Sequence, residues 1–213
     1  QESELQPVLG GESVRAGRFG RARRPLAGDQ RPLLRWSPPR SVLDLRDGFV
    51  ARLDLWLGSR GQATVLRYLP AVELNLDEEG RPRARLRLQG LGGVGSAIAS
   101  VASELALPVA RWCTLDVGCD GKVAWLTLDG RELGRSPAEG TPQQEPDSVF
   151  EVAPGGNLAG MVDEVRWFVY QFSPPQNLPA EIQLTRGYRF AFDARGEYTE
   201  RPALSFEQPE EAK

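Results

Sequence analysis

The chain has 213 residues, 40% of them hydrophobic, and a formal net charge of −3 at pH 7. This length suits one β-sandwich with an appendage, and the charge does not indicate a nucleic-acid or anionic-membrane partner, whose binders are usually strongly basic. The sequence contains no histidine, which removes the usual general base and the commonest zinc ligand and so excludes most hydrolase mechanisms. No segment approaches the roughly 20 apolar residues that cross a bilayer, so we expect no membrane insertion.

Alternating apolar and polar residues recur in short segments separated by Gly, Pro, Asp and Asn, which predicts an all-β fold. An early hairpin is predicted from residues 72–77 and 83–88, with a turn between them. The apolar positions of both segments face inward in this prediction. On the outer face, Glu73 would pair with Arg87 and Asp77 with Arg83, so we interpret that face as solvated and internally neutralised rather than as a basic ligand site.

Residues 90–103 are rich in Gly, Ala and Ser, which indicates a mobile loop near a sheet edge or at the mouth of the sandwich. The clearest hairpin follows at residues 111–129, where Asp120 and Gly121 form a dipeptide typical of a two-residue turn. The predicted pairs on its buried face are Cys113 with Leu128, Leu115 with Leu126, and Val117 with Ala124.

The two cysteines, Cys113 and Cys119, lie on one strand of that hairpin. Six strand residues span roughly 20 Å, whereas the Cα atoms of bridged cysteines are at most about 7 Å apart. We therefore predict that they are not joined, with Cys113 in the core and Cys119 near the turn.

After residue 172 the composition changes to a Pro-rich connector, and a last pair of strands is predicted around a turn at residues 193–196. In chain order, the predicted segments are an N-terminal tail (1–9), a β-sandwich (10–172), a connector with a β-hairpin extension (173–206) and a frayed tail (207–213).

Three segments in order resemble the laminin-G-like domains of bacterial exported proteins. They are the Gly-Arg-Phe-Gly-Arg-Ala motif at residues 17–22, the Trp-led hairpin with its Asp-Gly turn at residues 111–134, and the closing strand Met-Val-Asp-Glu-Val-Arg-Trp within residues 157–168. The resemblance implies a two-sheet antiparallel jelly-roll sandwich of the concanavalin A-like type. It also implies a secreted or cell-surface location in a bacterium, and any signal or anchor would lie upstream of Gln1.

The resemblance further implies a structural Ca²⁺ on the closing strand, with Asp163 as its ligand. Calcium needs six to eight oxygen ligands, so backbone carbonyls would have to join Asp163, with Asp29 as a further candidate ligand. The alternative role for Asp163 is to accept backbone hydrogen bonds at the start of its strand. Both roles stay open at this point.

Tryptophan rings complement the apolar face of a sugar ring and lose little side-chain entropy on binding. We expect Trp112 and Trp167 in the core, and leave Trp56 and Trp125 open between core and ligand. The ligand-binding candidates are Trp56, Trp125, Asp54 and Asp116.

The predicted function is a non-catalytic binding module for a glycan or a surface protein, as in cell adhesion. The alternative is a structural subunit of a bacterial surface assembly such as a pilus or adhesin, which would dock a partner at the C-terminal β extension. A third hypothesis, a β-glucan hydrolase, depends on a match to an E-x-D-x-x-E motif at residues 73–78. There Asn75 replaces the middle acid and Glu78 falls in a turn, so we expect no such activity.

Overall fold

The computed structural model describes residues 8–38, 43–90, 95–171, 184–192 and 198–203, with side chains up to residue 170. Its strands form two sheets. The first sheet contains β1 (Val8–Leu9), β4 (Leu34–Trp36), β6 (Ala63–Tyr68), β7 (Val72–Leu76), β8 (Pro82–Gln89), β9 (Ser96–Ala102), β13 (Thr141–Pro142) and β14 (Phe150–Val152). The second contains β2 (Glu12–Val14), β3 (Ala22–Arg24), β5 (Phe49–Leu57), β10 (Trp112–Cys119), β11 (Val123–Leu128), β12 (Arg131–Pro137), β15 (Gly160–Gln171), β16 (Leu184–Phe192) and β17 (Tyr198–Ala203).

The strand order confirms the predicted all-β sandwich. In the first sheet it is β1-β4-β14-β6-β7-β8-β13, with β9 paired to β8, and in the second it is β12-β11-β10-β5-β15-β16-β17, with β3 beside β15 and β2 beside β3. Neighbouring strands run antiparallel, from β1 against β4 to β16 against β17. Among the described residues there is no helix long and apolar enough to cross a membrane.

One hydrophobic core lies between the sheets, because alternate residues of each strand point inward. The predicted inward residues of the β7–β8 hairpin are all buried. An aromatic cluster fills the centre, where the Trp167 ring stacks on Phe49 with centroids 4.9 Å apart and meets Tyr68 and Phe150 edge-on. The core position predicted for Trp167 is therefore confirmed.

Both predicted hairpins form, and each is shifted by two residues from its expected register. In the β10–β11 hairpin, Leu115 lies opposite Leu128 and Cys119 opposite Ala124. The reason is that Asp120 precedes the turn, where its carboxylate accepts the backbone N–H groups of Lys122 and Val123, while Gly121 takes the positive φ of 82°. A shift of two preserves the faces, so the buried set stays buried.

The β7–β8 hairpin shows the same kind of shift, with Glu73 opposite Arg85 rather than Arg87. The predicted partnership of Asp77 with Arg83 is confirmed by a 3.1 Å ion pair. The Asp77 carboxylate also accepts the Arg81 backbone N–H at 2.9 Å. It therefore closes the turn and also balances the charge of Arg83 on the strand that follows.

The segment predicted as a mobile loop at residues 90–103 is mostly strand. Residues 96–102 form β9, which pairs with β8 from Ser96 opposite Gln89 to Ala102 opposite Arg83. The strand shows the alternation of a half-covered edge, because Ala99 and Val101 are buried while their neighbours are exposed. The expected position near a sheet edge is correct.

The cysteine prediction is confirmed, because Cys113 and Cys119 are both buried and free. Burial raises the pKa of the Cys113 thiol to about 12, so it stays protonated.

At the C-terminal end, β16 pairs with β15 and β17 with β16, which extends the second sheet. The turn predicted at residues 193–196 lies outside the described residues, and the proposed domain boundaries stay a prediction.

Candidate functional site

The outer face of the second sheet holds a hollow of about 500 Å³ that is open to solvent. Alternation along β5 and β10 places polar and aromatic side chains on this face, while their neighbours along each strand enter the core. We call this space the outer-face hollow. Its lining includes Arg18, Arg52, Arg111, Trp112, Thr114 and Asp116.

Asp116 lies at the floor of the outer-face hollow with its carboxylate fully engaged. Arg52, directly opposite on β5, donates two parallel hydrogen bonds to it at 2.7 and 2.8 Å. Thr127 on β11 donates a third at 3.0 Å. Such a bidentate pair fixes both side chains in one geometry and leaves other guanidinium N–H groups of Arg52 to meet a ligand.

Asp54 is the second predicted ligand residue, and it is almost completely buried. Arg18 reaches over the sheet to donate to its Oδ1 at 2.6 Å, and the Thr114 hydroxyl donates to the same oxygen at 2.7 Å. The Oδ2 atom has no hydrogen-bond partner among the described residues, and Arg166 Nη2 lies 3.6 Å from it. Asp54 thus supports the outer-face hollow from beneath rather than lining it.

A β-bulge in β15 concentrates acidic side chains beside Asp54. The pairing with β5 passes from Val162 opposite Leu55 to Val165 opposite Leu53, so both Asp163 and Glu164 are left across from Asp54. A regular strand would put Asp163 on the same face as Val165, whereas the bulge turns it to the outer face beside Asp54. Arg166 forms an ion pair with Glu164 and lies 3.6 Å from Asp54, so these two acids share one cation from the same strand.

Asp163 is held by the loop that joins β2 to β3. Its Oδ2 accepts the Phe19 backbone N–H at 2.6 Å. Burial raises the pKa of Asp163, the hydrogen bond from Phe19 opposes that rise, and the neighbouring Glu164 carboxylate adds to it. The hydrogen-bonding role foreseen as the alternative for Asp163 is therefore present in the structure.

The residues around Asp163 do not fit a calcium ion shared with Asp29. Although Gly155 donates to the Gln30 carbonyl at 3.2 Å, which brings the opening and closing segments together, the Asp29 carboxylate is occupied by Arg31. That guanidinium binds both carboxylate oxygens and lowers the pKa of Asp29. No cluster of three acidic or cysteine side chains that could hold a metal occurs within the described ranges.

The comparisons with known proteins identify the fold. Domain 4 of AbnA, a GH43 extracellular arabinanase from Geobacillus stearothermophilus solved with arabinotriose, superposes with a TM-score of 0.51 at 16% identity over 74% of this chain and 75% of that chain. Mouse laminin alpha1 domains LG4-5 superpose with a TM-score of 0.51 at 16% identity over 84% of this chain and 48% of theirs. The chain is a concanavalin A-like jelly roll.

An endo-beta-1,4-glucuronan lyase from the fungus Trichoderma reesei shares this jelly roll, with a TM-score of 0.50 at 11% identity over 77% of this chain and 87% of that one. No protein-family model and no curated protein sequence matches the chain. At these identities the similarity establishes the fold alone.

Three tryptophans lie half-buried on the outer face of the jelly roll. Trp112 lines the outer-face hollow, so its predicted place in the core is wrong: it alternates with Cys113, which takes the inward position. Trp56 lies directly opposite Trp112 on β5, and Trp125 lies opposite Gly118 at the other end of β10. Both residues that were left open are therefore on the outer face.

Sequence reasoning missed the arginines of this jelly-roll face, namely Arg18, Arg52 and Arg166. Arg52 could have been found, because it alternates with Asp54 and Trp56 on one strand. Arg18 reaches its partner from a loop 36 residues away along the sequence, so no periodicity could have indicated it.

Proposed function

We propose that this chain is a non-catalytic carbohydrate-binding module, exported or displayed at a cell surface, that holds a glycan in the outer-face hollow. The observation on which this proposal depends is the position of Trp112 beside a rigid set of hydrogen-bonding groups from Arg18, Arg52 and Thr114. An indole ring offers the apolar face that a sugar ring stacks on, while guanidinium and hydroxyl groups hydrogen-bond the sugar hydroxyls.

The charges around the hollow favour an uncharged glycan. Asp116 compensates Arg52, Asp54 compensates Arg18, and Asp129 forms a 3.0 Å ion pair with Arg111. A ligand without charge can replace water at such a site without separating any of these pairs. The arabinanase domain of the same fold, solved with arabinotriose, supports a saccharide as the ligand class.

The acidic side chains favour binding over hydrolysis. Glycosidases of the common type use two carboxyl groups that flank the bond, one of them kept protonated by a raised pKa. On this face Asp116 is bound by a guanidinium on both oxygens. The motif at residues 73–78 belongs to the first sheet, where Asn75 takes the place of the middle acid and Glu78 lies exposed in the turn after β7. It therefore lacks the set of strand-borne carboxyl groups that such a mechanism uses.

A microarray of neutral polysaccharides, followed by calorimetry with the best one, tests the proposal. We expect measurable binding, and we expect Trp112→Ala to weaken it about tenfold because the stacking surface is lost. Leu69→Ala is the matched control, since it removes an exposed apolar side chain outside the hollow. Equal weakening by both variants, or binding that survives Trp112→Ala unchanged, would contradict the proposed site.

A second candidate function, a structural subunit of a surface assembly, is supported by the position of β17. This strand ends the second sheet, and in the described part of the chain it pairs only with β16. An edge strand offers backbone N–H and C=O groups to a partner strand. Copurification of one stoichiometric protein partner, lost when Thr199 is replaced by proline, would favour this function over glycan binding.

A further inference from the structure

The outer face of the second sheet is divided into bands that run across its strands. At one end Trp112, Trp56 and Met161 lie opposite one another on β10, β5 and β15. We call them the Trp112 band. All three side chains are half-buried, so they form an aromatic and apolar surface that solvent still reaches.

A second apolar band lies toward the opposite end of the same strands. Trp125 is opposite Gly118, Gly118 is opposite Val50, and Val50 is opposite Phe168. We call Trp125, Val50 and Phe168 the Trp125 band. Its side chains are also half-buried, and it was not needed for the outer-face hollow, which Trp125 does not line.

Gly118 sets the position of the Trp125 ring. A Cβ atom at residue 118 would lie 2.4 Å from Cζ2 of Trp125 and 2.5 Å from its Cε2, so the indole rests directly on the glycine backbone. A ring that is already seated against the sheet loses little freedom when a ligand stacks on it. Trp125 is thus a preformed platform.

The two bands are linked by the polar floor of the hollow. Along β10 the outward positions run from Trp112 through Thr114 and Asp116 to Gly118, and six residues of strand span roughly 20 Å. The hollow already reaches from Trp112 to Asp116, so the Trp125 band begins one outward position beyond it. One sugar ring covers a single indole and cannot reach both.

We infer that the ligand is an unbranched, uncharged polysaccharide chain that lies along β10 and stacks on both the Trp112 band and the Trp125 band. This inference rests on the proposed function and specifies its ligand. The intervening hydroxyl groups of the chain meet Thr114, Arg52 and Asp116, which are held by one another and by Arg18. Affinity must then grow with chain length until both bands are covered.

The test is calorimetry with arabinan and β-1,4-glucan oligosaccharides from the disaccharide to the octasaccharide. For the unmodified chain we expect affinity for at least one series to rise about tenfold with length and then level off, because a second stacking contact is added. Trp125→Ala should abolish that rise, so that the octasaccharide binds no more tightly than the disaccharide. Trp125→Tyr, which keeps an aromatic platform, should restore most of the rise.

Gly118→Ala provides a second variant that keeps the tryptophan but displaces it, because the new methyl group occupies the place of the ring. We expect it to lose the length dependence as Trp125→Ala does, with melting curves confirming that both variants fold. Equal affinity for short and long oligosaccharides, with Trp112→Ala still abolishing binding, would overturn the inference and leave the proposed function standing. If neither series binds, both are overturned.

Discussion

The outer faces of the two sheets follow the same strand alternation but differ in chemistry. Across the first sheet the outward residues alternate in charge from strand to strand. The row runs Arg35, Glu151, Arg67, Glu73, Arg85. The second sheet instead has aromatic bands with buried acids between them, because the loop at residues 17–20 crosses the sheet and covers Asp163 and Asp54.

The comparison shows that ion pairs with similar geometry have different consequences. On the first sheet Glu151 is also buried, but two arginines that solvent still reaches, Arg67 and Arg35, both face it. Either arginine can compensate the carboxylate when the other is lost. On the second sheet Asp54 is buried with Asp163 and Glu164 as neighbours, so the loss of one cation leaves charge that water cannot reach.

The largest expected effect is therefore on the second face. Arg18→Ala should lower the free energy of unfolding by about 2 kcal/mol or more, because Arg166, the cation left beside the buried Asp54, is shared with Glu164. Arg67→Ala should cost less than about 1 kcal/mol, because Arg35 still faces Glu151. Urea unfolding of the two variants at neutral pH measures both values. Losses of equal size would show that the two faces do not differ in this way.

A smaller effect is expected at Asp163, whose pKa is raised by burial from 3.8. A raised pKa means that the stability contributed by the protonated carboxyl is lost as pH rises through the folded-state pKa. Asp163→Asn keeps an acceptor for the Phe19 N–H without the charge, so it should be more stable than the unmodified chain at neutral pH. Melting temperatures measured as the pH is lowered toward 3.8 should converge, and a variant that is less stable throughout would refute this assignment.

The opposite sign is expected at Asp77 on the first sheet, and the effect is smaller because the site is more exposed. Its pKa of about 2 lies below the usual 3.8, so its contribution is present above 3.8 and is lost as pH falls toward 2. Asp77→Asn should be slightly less stable than the unmodified chain at neutral pH and equal to it in acid. The same pH series of melting curves measures this, with Asp163→Asn as the reference of opposite sign.

The smallest expected effect concerns metal removal. Because the Asp163 and Asp29 carboxylates are bound by Phe19 and Arg31, a chelator should leave the melting temperature of the unmodified chain unchanged, and added Ca²⁺ should not raise it. A calcium-dependent rise that disappears in Asp163→Ala would instead establish the cation site that the family resemblance implied.

Much of the fold could be predicted from the sequence, because period-two alternation decides which side chains are buried. This is why the β7–β8 and β10–β11 hairpins were found with the correct faces, while their registers were wrong by two residues. A shift of two residues leaves the alternation unchanged, so only the hydrogen bonds of the turn, such as those that Asp120 accepts, decide which register forms.

The candidate site was predictable only in part. Strand alternation puts the ligand candidates Trp56, Trp125, Asp54 and Asp116 on one face, but it does not decide whether that face is covered, so Trp56 and Trp125 stayed open between core and ligand. Arg18 could not have been placed, because a loop and not a strand presents it. The bulge at Asp163 and Glu164 could not have been predicted either, since an extra residue in a strand leaves the local composition unchanged.

The bulge in β15 also makes a prediction about sequence length in related chains. Val162 and Val165 both enter the core, although residues three apart on a regular strand point to opposite faces. Deletion of one intervening residue would restore a regular strand with the same core, so packing alone does not require the insertion. In an alignment of related chains, a one-residue gap at this point should therefore coincide with the loss of the arginines that correspond to Arg18 and Arg166.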